Sequence, residues 1–302
     1  MTSILLHGTL VSRRILERSA EMYMLGYSAW NGDKKMPSRQ PLFAAECLPP
    51  PPGGTWSIAD DTQMLQVMRE RDIKRAFVPH AAFNGLVGAP KGPWLVRQLD
   101  RERQFLRSSD DEPLEGYEMA TGEVMLSATG GCMSIVAAGQ TMDGRMRMIF
   151  SHAGRDSLID RGRIAGRPAR RHEGVLYAIV EMFEKWGIKP NHIEVHGLFP
   201  ISPSVFVHPY SHPEWGSFNR TMLKDMQARW GAMAAYEVSA GLGGRGVAID
   251  LSALLRAQAD ELHFFAAKGY PYLTPDGPCV TTYDRDPTMA RKRNLVILRR
   301  LR

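Results

Sequence analysis

Two reactive side chains bracket the most regular part of this 302-residue sequence: Cys132, preceded by Gly130-Gly131, and His152, within Ser151-His152-Ala153-Gly154. Between them lie two strand-like runs, 133–138 and 145–150, joined by the polar segment Gly139-Gln140-Thr141-Met142-Asp143-Gly144. This pattern predicts an antiparallel hairpin. Pairing its strands brings their outer ends together, so Cys132 and His152 meet although 20 positions separate them. Glycines at 130 and 131 let the backbone bend sharply or approach a ligand closely. A thiol beside an imidazole has three readings. As thiolate and neutral imidazole they are two zinc ligands in need of a third. Without metal, the imidazole activates the thiol as a nucleophile. Alternatively Cys132 is an inert buried cysteine, a common fate for that residue type.

The surrounding elements must hold that hairpin in place. Residues 48–54, Leu-Pro-Pro-Pro-Pro-Gly-Gly, read as a stiff polyproline-like spacer. They separate an N-terminal segment, 1–60, packed on the main domain, from that domain at 61–302. Met64, Leu65, Met68 and Ile73 mark the apolar face of a helix over 61–72. The charged, poorly periodic stretch 91–113 reads as helix plus exposed loop. A helix over 173–186 follows from Leu176, Ile179, Val180 and Phe183, with Gly187 as its stop and Pro190 blocking continuation. A short strand at 192–196, a helix over 251–268 ended by Gly269, and strands at 280–283 and 294–298 complete the reading. Strands, hairpins and helices are mixed without strict βαβ alternation. The fold class expected is α/β (α+β), a mixed-sheet sandwich flanked by helices.

Composition narrows the function. Hydrophobic residues make up 44% and charged residues 23%, values typical of a globular chain. No run of eighteen apolar residues suits a membrane span, and the first residues lack a secretory signal pattern. Cys47, Cys132 and Cys279 are odd in number and widely spaced, so reduced thiols and a cytoplasmic location are expected. The net charge of +6 is local: Arg161, Arg163, Arg167, Arg170 and Arg171 crowd one segment, and further arginines crowd the C-terminus. No aromatic residues interleave with either cluster, which argues against nucleic acid as partner. The first cluster has two readings, a solvated loop or a site for a phosphate-bearing substrate or co-substrate bound by Arg167, Arg170 and Arg171.

The order of motifs resembles the YfiH or laccase-domain family, regarded as purine nucleoside phosphorylases and earlier as polyphenol oxidases. That family carries Ala-Asp-Cys, a strand pair, then His-Ala-Gly-Trp-Arg-Gly; this chain has Gly130-Gly131-Cys132 and His152-Ala153-Gly154. The segment from Gly197 to Val207, through Pro200-Ile201-Ser202-Pro203, is similar to the family's Gly-Pro-Ala-Ile-Gly-Pro element. Phe77-Val78-Pro79-His80 parallels its Gln-Val-His element, and Cys279-Val280-Thr281 with Tyr283-Asp284-Arg285 its close. The likeness runs from about 61 to 298. It implies one zinc per chain held by His80, Cys132 and His152, with a fourth position open for water or substrate. It also implies roles near substrate for Arg155, Asp156, Ser202 and Arg285, a nucleoside or nucleotide substrate, and phosphate as partner. The family's aspartate before the cysteine is Gly131 here, and its Trp-Arg-Gly is Arg155-Asp156-Ser157. The same fold resembles that of bacterial deamidating toxins, which implies a second function: a metal-free amidase or glutamine deamidase with Cys132 as nucleophile and His152 as base. A binding protein without catalysis is a third.

Three other features have weaker claims. His192 and His196, and His208 and His212, are four apart, a spacing that faces two imidazoles together only on a helix. The first pair reads as strand, where four residues span roughly 13 Å, and prolines flank the second. Gly241-Leu242-Gly243-Gly244-Arg245-Gly246 lacks the context of a phosphate loop and reads as a surface turn.

Overall fold

The computed structural model describes residues 42–48, 54–80, 84–88, 93–109, 113–204, 206–239, 244–270 and 293–301, with the backbone of short strands between 4 and 37. Along the chain run β1 (Ile4–Leu6), β2 (Thr9–Val11), β3 (Ala20–Met22), β4 (Ser28–Asn31), β5 (Lys34–Pro37), β6 (Phe43–Leu48) and helix α1 (Asp61–Glu70). Next come β7 (Arg75–Phe77), β8 (Val87–Gly88), β9 (Trp94–Gln98), β10 (Gln104–Ser108), β11 (Gly116–Glu118), β12 (Val124–Thr129), β13 (Met133–Gln140) and β14 (Met146–Ala153). Two one-turn helices, α2 (Arg155–Leu158) and α3 (Arg161–Ile164), precede α4 (Val175–Lys185) and β15 (Ile193–Leu198). The chain continues with β16 (Val207–Pro209), α5 (Gly216–Trp230), β17 (Ala235–Ser239), β18 (Arg245–Ile249), α6 (Leu251–Glu261), β19 (Ala266–Tyr270) and β20 (Asn294–Arg300).

Two mixed sheets form the body. One has seven strands in the order β3-β6-β20-β12-β7-β10-β9, the other six in the order β19-β15-β13-β14-β11-β8. Alternate side chains of both sheets, among them Phe43, Cys47, Phe77, Tyr117, Met125, Val136, Phe150 and Leu298, fill the layer between them. Residues of opposite parity in β13, Met133, Ile135 and Ala137, pack outward with α4, α5 and α6. Met64, Val67 and Met68 of α1 cover the outer face of the seven-stranded sheet. The fold is therefore a mixed α+β sandwich flanked by helices, because each sheet has two apolar faces and each face needs a cover. Strand β6 lies inside the seven-stranded sheet, paired to β20 from Phe43↔Arg300 to Leu48↔Leu295.

The hairpin expected around Cys132 and His152 is present and longer than its apolar runs. Register Met133↔Ala153 through Gln140↔Met146 extends the pairing to the two reactive residues. Gly144, at φ 82°, closes the turn where Thr141 and Arg145 exchange hydrogen bonds. Two expectations need correction. The stretch 91–113 contains no helix among its described residues; it forms the β9–β10 hairpin at the sheet edge, with Leu95 and Val96 more than half exposed. Strand β9 shows no clean alternation, because Leu95 and Val96 point to opposite faces and both are exposed, so neither face is fully covered. The helix expected over 251–268 stops at Glu261, because His263 adopts φ 58° and Ala266–Tyr270 turns back as a strand parallel to β15. The strand expected at 280–283, and with it Cys279 and Arg285, lies outside the described residues. No helix among the described residues is long and apolar enough to cross a membrane.

Candidate active site

At one end of the sandwich, pairing brings three chain segments together. The β13–β14 register places Cys132 one residue beyond the pair Met133↔Ala153, diagonal to His152. On the other side of β14, β11 pairs with Gly116 opposite Ser151, so the preceding residue, Glu115, lies beside His152. The main chain closes this junction: His152 N–H donates to the Glu115 carbonyl at 3.0 Å.

Gly154 shows how closely the sulfur and the ring approach. A Cβ there would stand 2.9 Å from Cys132 Sγ and 3.1 and 3.3 Å from Cε1 and Nε2 of His152. The Nε2 edge thus faces the half-buried thiol. The opposite nitrogen, Nδ1, lies 3.2 Å from Glu115 Oε1. Glu115 is fully buried, and its carboxylate accepts from Ser157 Oγ at 2.8 Å and from Gly85 N–H at 2.6 Å. Ser157 Oγ also lies 3.2 Å from His152 Nδ1. A carboxylate anchored by three donors fixes the ring's orientation. Burial disfavours the imidazolium, but hydrogen bonds from the ring to Cys132 and Glu115, together with their charges, outweigh it. The pKa of His152 is pushed up to about 10.

The neighbouring glycines have steric reasons. Gly131 takes φ 134°, and a Cβ on it would meet Ile201 Cδ1 at 2.9 Å, so the aspartate of the resembling motif has no room here. On Gly116 a Cβ would fall 2.4 Å from Ser151 Cβ and 2.7 Å from the Phe150 carbonyl. Gly116→Ala is accordingly expected to push β11 off β14 and cost about 1–3 kcal/mol, as overpacking does. An unchanged urea midpoint would show that the sheet absorbs the methyl without moving Glu115.

The other expected site residues are distributed differently. Arg155 holds Asp156 through two contacts, 2.7 and 3.1 Å, and its Nη1 lies 3.0 Å from His208 Nδ1. Burial first, then Arg155 and Arg161, push the His208 pKa down to about 3. Burial acts to raise the Asp156 carboxyl, yet Arg155 and Arg161 hold it below the ordinary carboxylate value. Ser202 lies on the exposed loop after β15, with its hydroxyl 2.8 Å from that of Ser204. In the arginine-rich segment, Arg170 donates to the carbonyls of Asp156, His172 and Glu173, at 2.7, 2.9 and 2.7 Å. Arg171 pairs with Glu181 and Arg163 with Asp225. Arg161 lies over the rings of Trp215 and Phe218, and Arg167 is exposed. Most of these guanidiniums tie the loop to the body. His212 has a capping role, its Nδ1 accepting from the N–H groups of Glu214 and Trp215 ahead of α5.

His80 sits on the seven-stranded side. Its N–H donates to the Leu114 carbonyl at 3.0 Å, and its Nε2 faces the Ser108 carbonyl at 3.4 Å. Among the described residues, no three of His, Cys, Asp and Glu gather in a group that could hold a metal ion. In this structure the Nε2 edge of His152 faces Cys132, and Nε2 of His80 faces the Ser108 carbonyl.

Glu115 and Ser157 carry no motif that marks them in the sequence. Glu115 follows the charged stretch 91–113 without any spacing that ties it to His152, and Ser157 was visible only as a departure from a motif.

No family model matches the chain, and no curated protein does. Among solved structures, the fold is similar to that of the Bacillus licheniformis hypothetical protein YfiH, at 10% identity and TM-score 0.53, covering 85% of this chain and 92% of that one. It is similar too to YlmD from Geobacillus stearothermophilus, at 12% identity and TM-score 0.51, covering 86% and 93%. At such identities the likeness is one of fold.

Proposed function

We propose, from the YfiH-like fold and the geometry at the mouth of its sandwich, that this protein is a thiol amidohydrolase. Cys132 is its nucleophile, His152 its acid and base, and Glu115 orients the imidazole. The observation that supports this reading is the hydrogen-bonded line from Cys132 through His152 to the buried Glu115. His152, beside the sulfur, is placed to take up the thiol proton and leave the nucleophilic thiolate. Thiolate attack on an amide carbonyl forms a C–S bond and a tetrahedral intermediate. As the C–N bond breaks, His152 gives its proton to the departing amine. The imidazole, now neutral, takes a proton from water, whose oxygen attacks the thioester and returns the thiolate. Glu115 and Ser157 keep Nδ1 committed, so Nε2 is the nitrogen that exchanges the proton.

The decisive experiment joins metal analysis with acyl-enzyme trapping. Protein purified without chelator is expected to contain no stoichiometric metal, and incubation with a panel of primary amides should yield a thioester on Cys132 detectable by mass spectrometry. About one zinc per chain, lost on replacing either Cys132 or His152, would overturn the proposal. It would favour instead the zinc-dependent chemistry on purine nucleosides or nucleotides that the sequence resemblance implies.

A further inference from the structure

We infer that Arg170 is a positioning residue of this site, whose guanidinium ties together the two backbone segments that supply Glu115 with two of its hydrogen-bond donors; the inference rests on the thiol amidohydrolase reading. Those donors are Ser157 Oγ, 2.8 Å from Glu115 Oε1, and Gly85 N–H, 2.6 Å from Glu115 Oε2. Neither belongs to an element that is rigid by itself. Ser157 sits on the single-turn helix α2, far too short to be stable alone. Gly85 lies in a loop at φ 71°, ahead of β8.

One guanidinium reaches both segments. Arg170 Nη1 donates at 2.7 Å to the carbonyl of Asp156, which forms the peptide bond to Ser157. Its Nη2 donates at 2.7 Å to the carbonyl of Glu173, which forms the peptide bond to Gly174. Gly174 is the residue against which Gly85 packs: a Cβ on Gly85 would lie 3.1 Å from the Gly174 carbonyl carbon and 3.2 Å from Val175 N. Gly174 approaches α2 as closely, since a Cβ on it would lie 2.3 Å from the Leu158 carbonyl oxygen. Gln258 Nε2 donates to that same carbonyl at 2.7 Å and fixes the far end of α2. The arginine is itself fixed, through Nε to the His172 carbonyl at 2.9 Å and through its N–H to Asp160 Oδ2 at 2.8 Å.

The shape of the side chain matters as much as its charge. A planar fork spans two carbonyls at once, and an ammonium does not. Burial lowers the pKa of Arg170, and the carboxylates of Asp160, Glu115, Asp156 and Glu173 act against it. The cation is thus held among the acidic groups of this junction, Glu115 included. Without the fork, α2 and residues 172–174 lose their common tie, Ser157 and Gly85 shift from Glu115, and the His152 ring loses its fixed acceptor. A misplacement of about 1 Å caused by a change remote from the chemistry costs about 100-fold in rate.

Two readouts test this, one of which needs no turnover. Arg170→Ala is expected to lower kcat for amide hydrolysis about 100-fold with KM unchanged. Guanidinium ion, added below its denaturing range, should restore part of that loss, and methylammonium should not. The second readout is the proton NMR signal of His152 Nδ1–H, which should broaden or vanish in the variant and return with guanidinium. Arg170→Lys keeps the charge and most of the stem, so it reports on the clamp even where the alanine variant unfolds; its kcat and Nδ1–H signal should fall as well. Arg163→Ala removes the tie of the same segment to Asp225 and should leave both readouts at native values. Native kcat and an intact Nδ1–H signal in folded Arg170→Lys would overturn the inference. Equal losses in Arg163→Ala would overturn it too, since Arg170 would then be one loop anchor among several. A native protein that hydrolyses no amide, but loses its Nδ1–H signal in Arg170→Lys, would keep the clamp and sink the thiol amidohydrolase instead.

Discussion

Cys132→Ala is expected to lower amide hydrolysis by a factor on the order of 10⁴ to 10⁶, the loss typical of removing an enzyme's nucleophile. Without the sulfur, His152 has no thiol to activate, and whatever turnover persists comes from binding alone. Folding should be retained, since Cys132 is half-buried at a strand end and packs into no core cluster. Cys47→Ala is the informative contrast. Cys47 has no exposed surface and lies in the layer between the sheets, so its loss should cost stability, about 1 kcal/mol, while activity per folded molecule remains. Turnover measured alongside urea unfolding separates the two effects. Equal loss of turnover from both substitutions, at equal folded fraction, would mean that the thiol at 132 has only a packing role.

Glu115→Gln is expected to reduce turnover by about 10³- to 10⁴-fold, because an amide in place of the carboxylate can hold the wrong tautomer of the ring. Its effect on stability should be large as well. Glu115 and His152 are both buried, and removing one partner of such a pair costs about 3–5 kcal/mol. The sign of the pH dependence follows from His152. Its pKa in the folded protein, about 10, is raised above its ordinary value of 6.5. The stabilisation it contributes is therefore complete below about pH 6.5 and is lost as pH rises through about 10. Urea unfolding of the native protein and of Glu115→Gln should differ most near pH 6 and converge toward pH 10. A difference that grows with pH would contradict a protonated His152 in the folded protein.

The sequence by itself determined the hairpin that carries the two reactive residues. The alternating runs 133–138 and 145–150 and the glycine-bounded turn between them specify strand pairing through local chemistry, and pairing alone brings Cys132 to His152. Helix 173–186 and strand 294–298 were legible for the same reason, since an amphipathic stripe and an apolar run are contiguous patterns. Helix α5 is less legible because its apolar stripe, Met222, Leu223, Met226 and Trp230, begins only in its second turn, while its N-terminal half buries Gly216 and Asn219. The sequence pattern extends the 251–268 helix too far because Phe264, Phe265, Ala266 and Ala267 continue its apolar content, while the chain reversal at His263 depends on β15 being available as a partner.

Only the tertiary structure showed which third group stands beside the pair. Cysteine and histidine at a hairpin mouth serve zinc and nucleophilic catalysis alike, and the local pattern does not name their neighbour. The ring of His80, whose motif suggests a ligand, faces the Ser108 carbonyl. Glu115, 37 positions from His152 and unmarked by any pattern, arrives through the β11–β14 register and the close approach at Gly116. The arginines divide in the same way: sequence shows the crowding at 161–171, while folding engages most of those guanidiniums with carboxylates and carbonyls and leaves Arg167 exposed. Residue spacing encodes contacts within one hairpin or helix, where geometry is periodic. Contacts between segments depend on how sheets pair and layers pack, and that is a property of the whole chain.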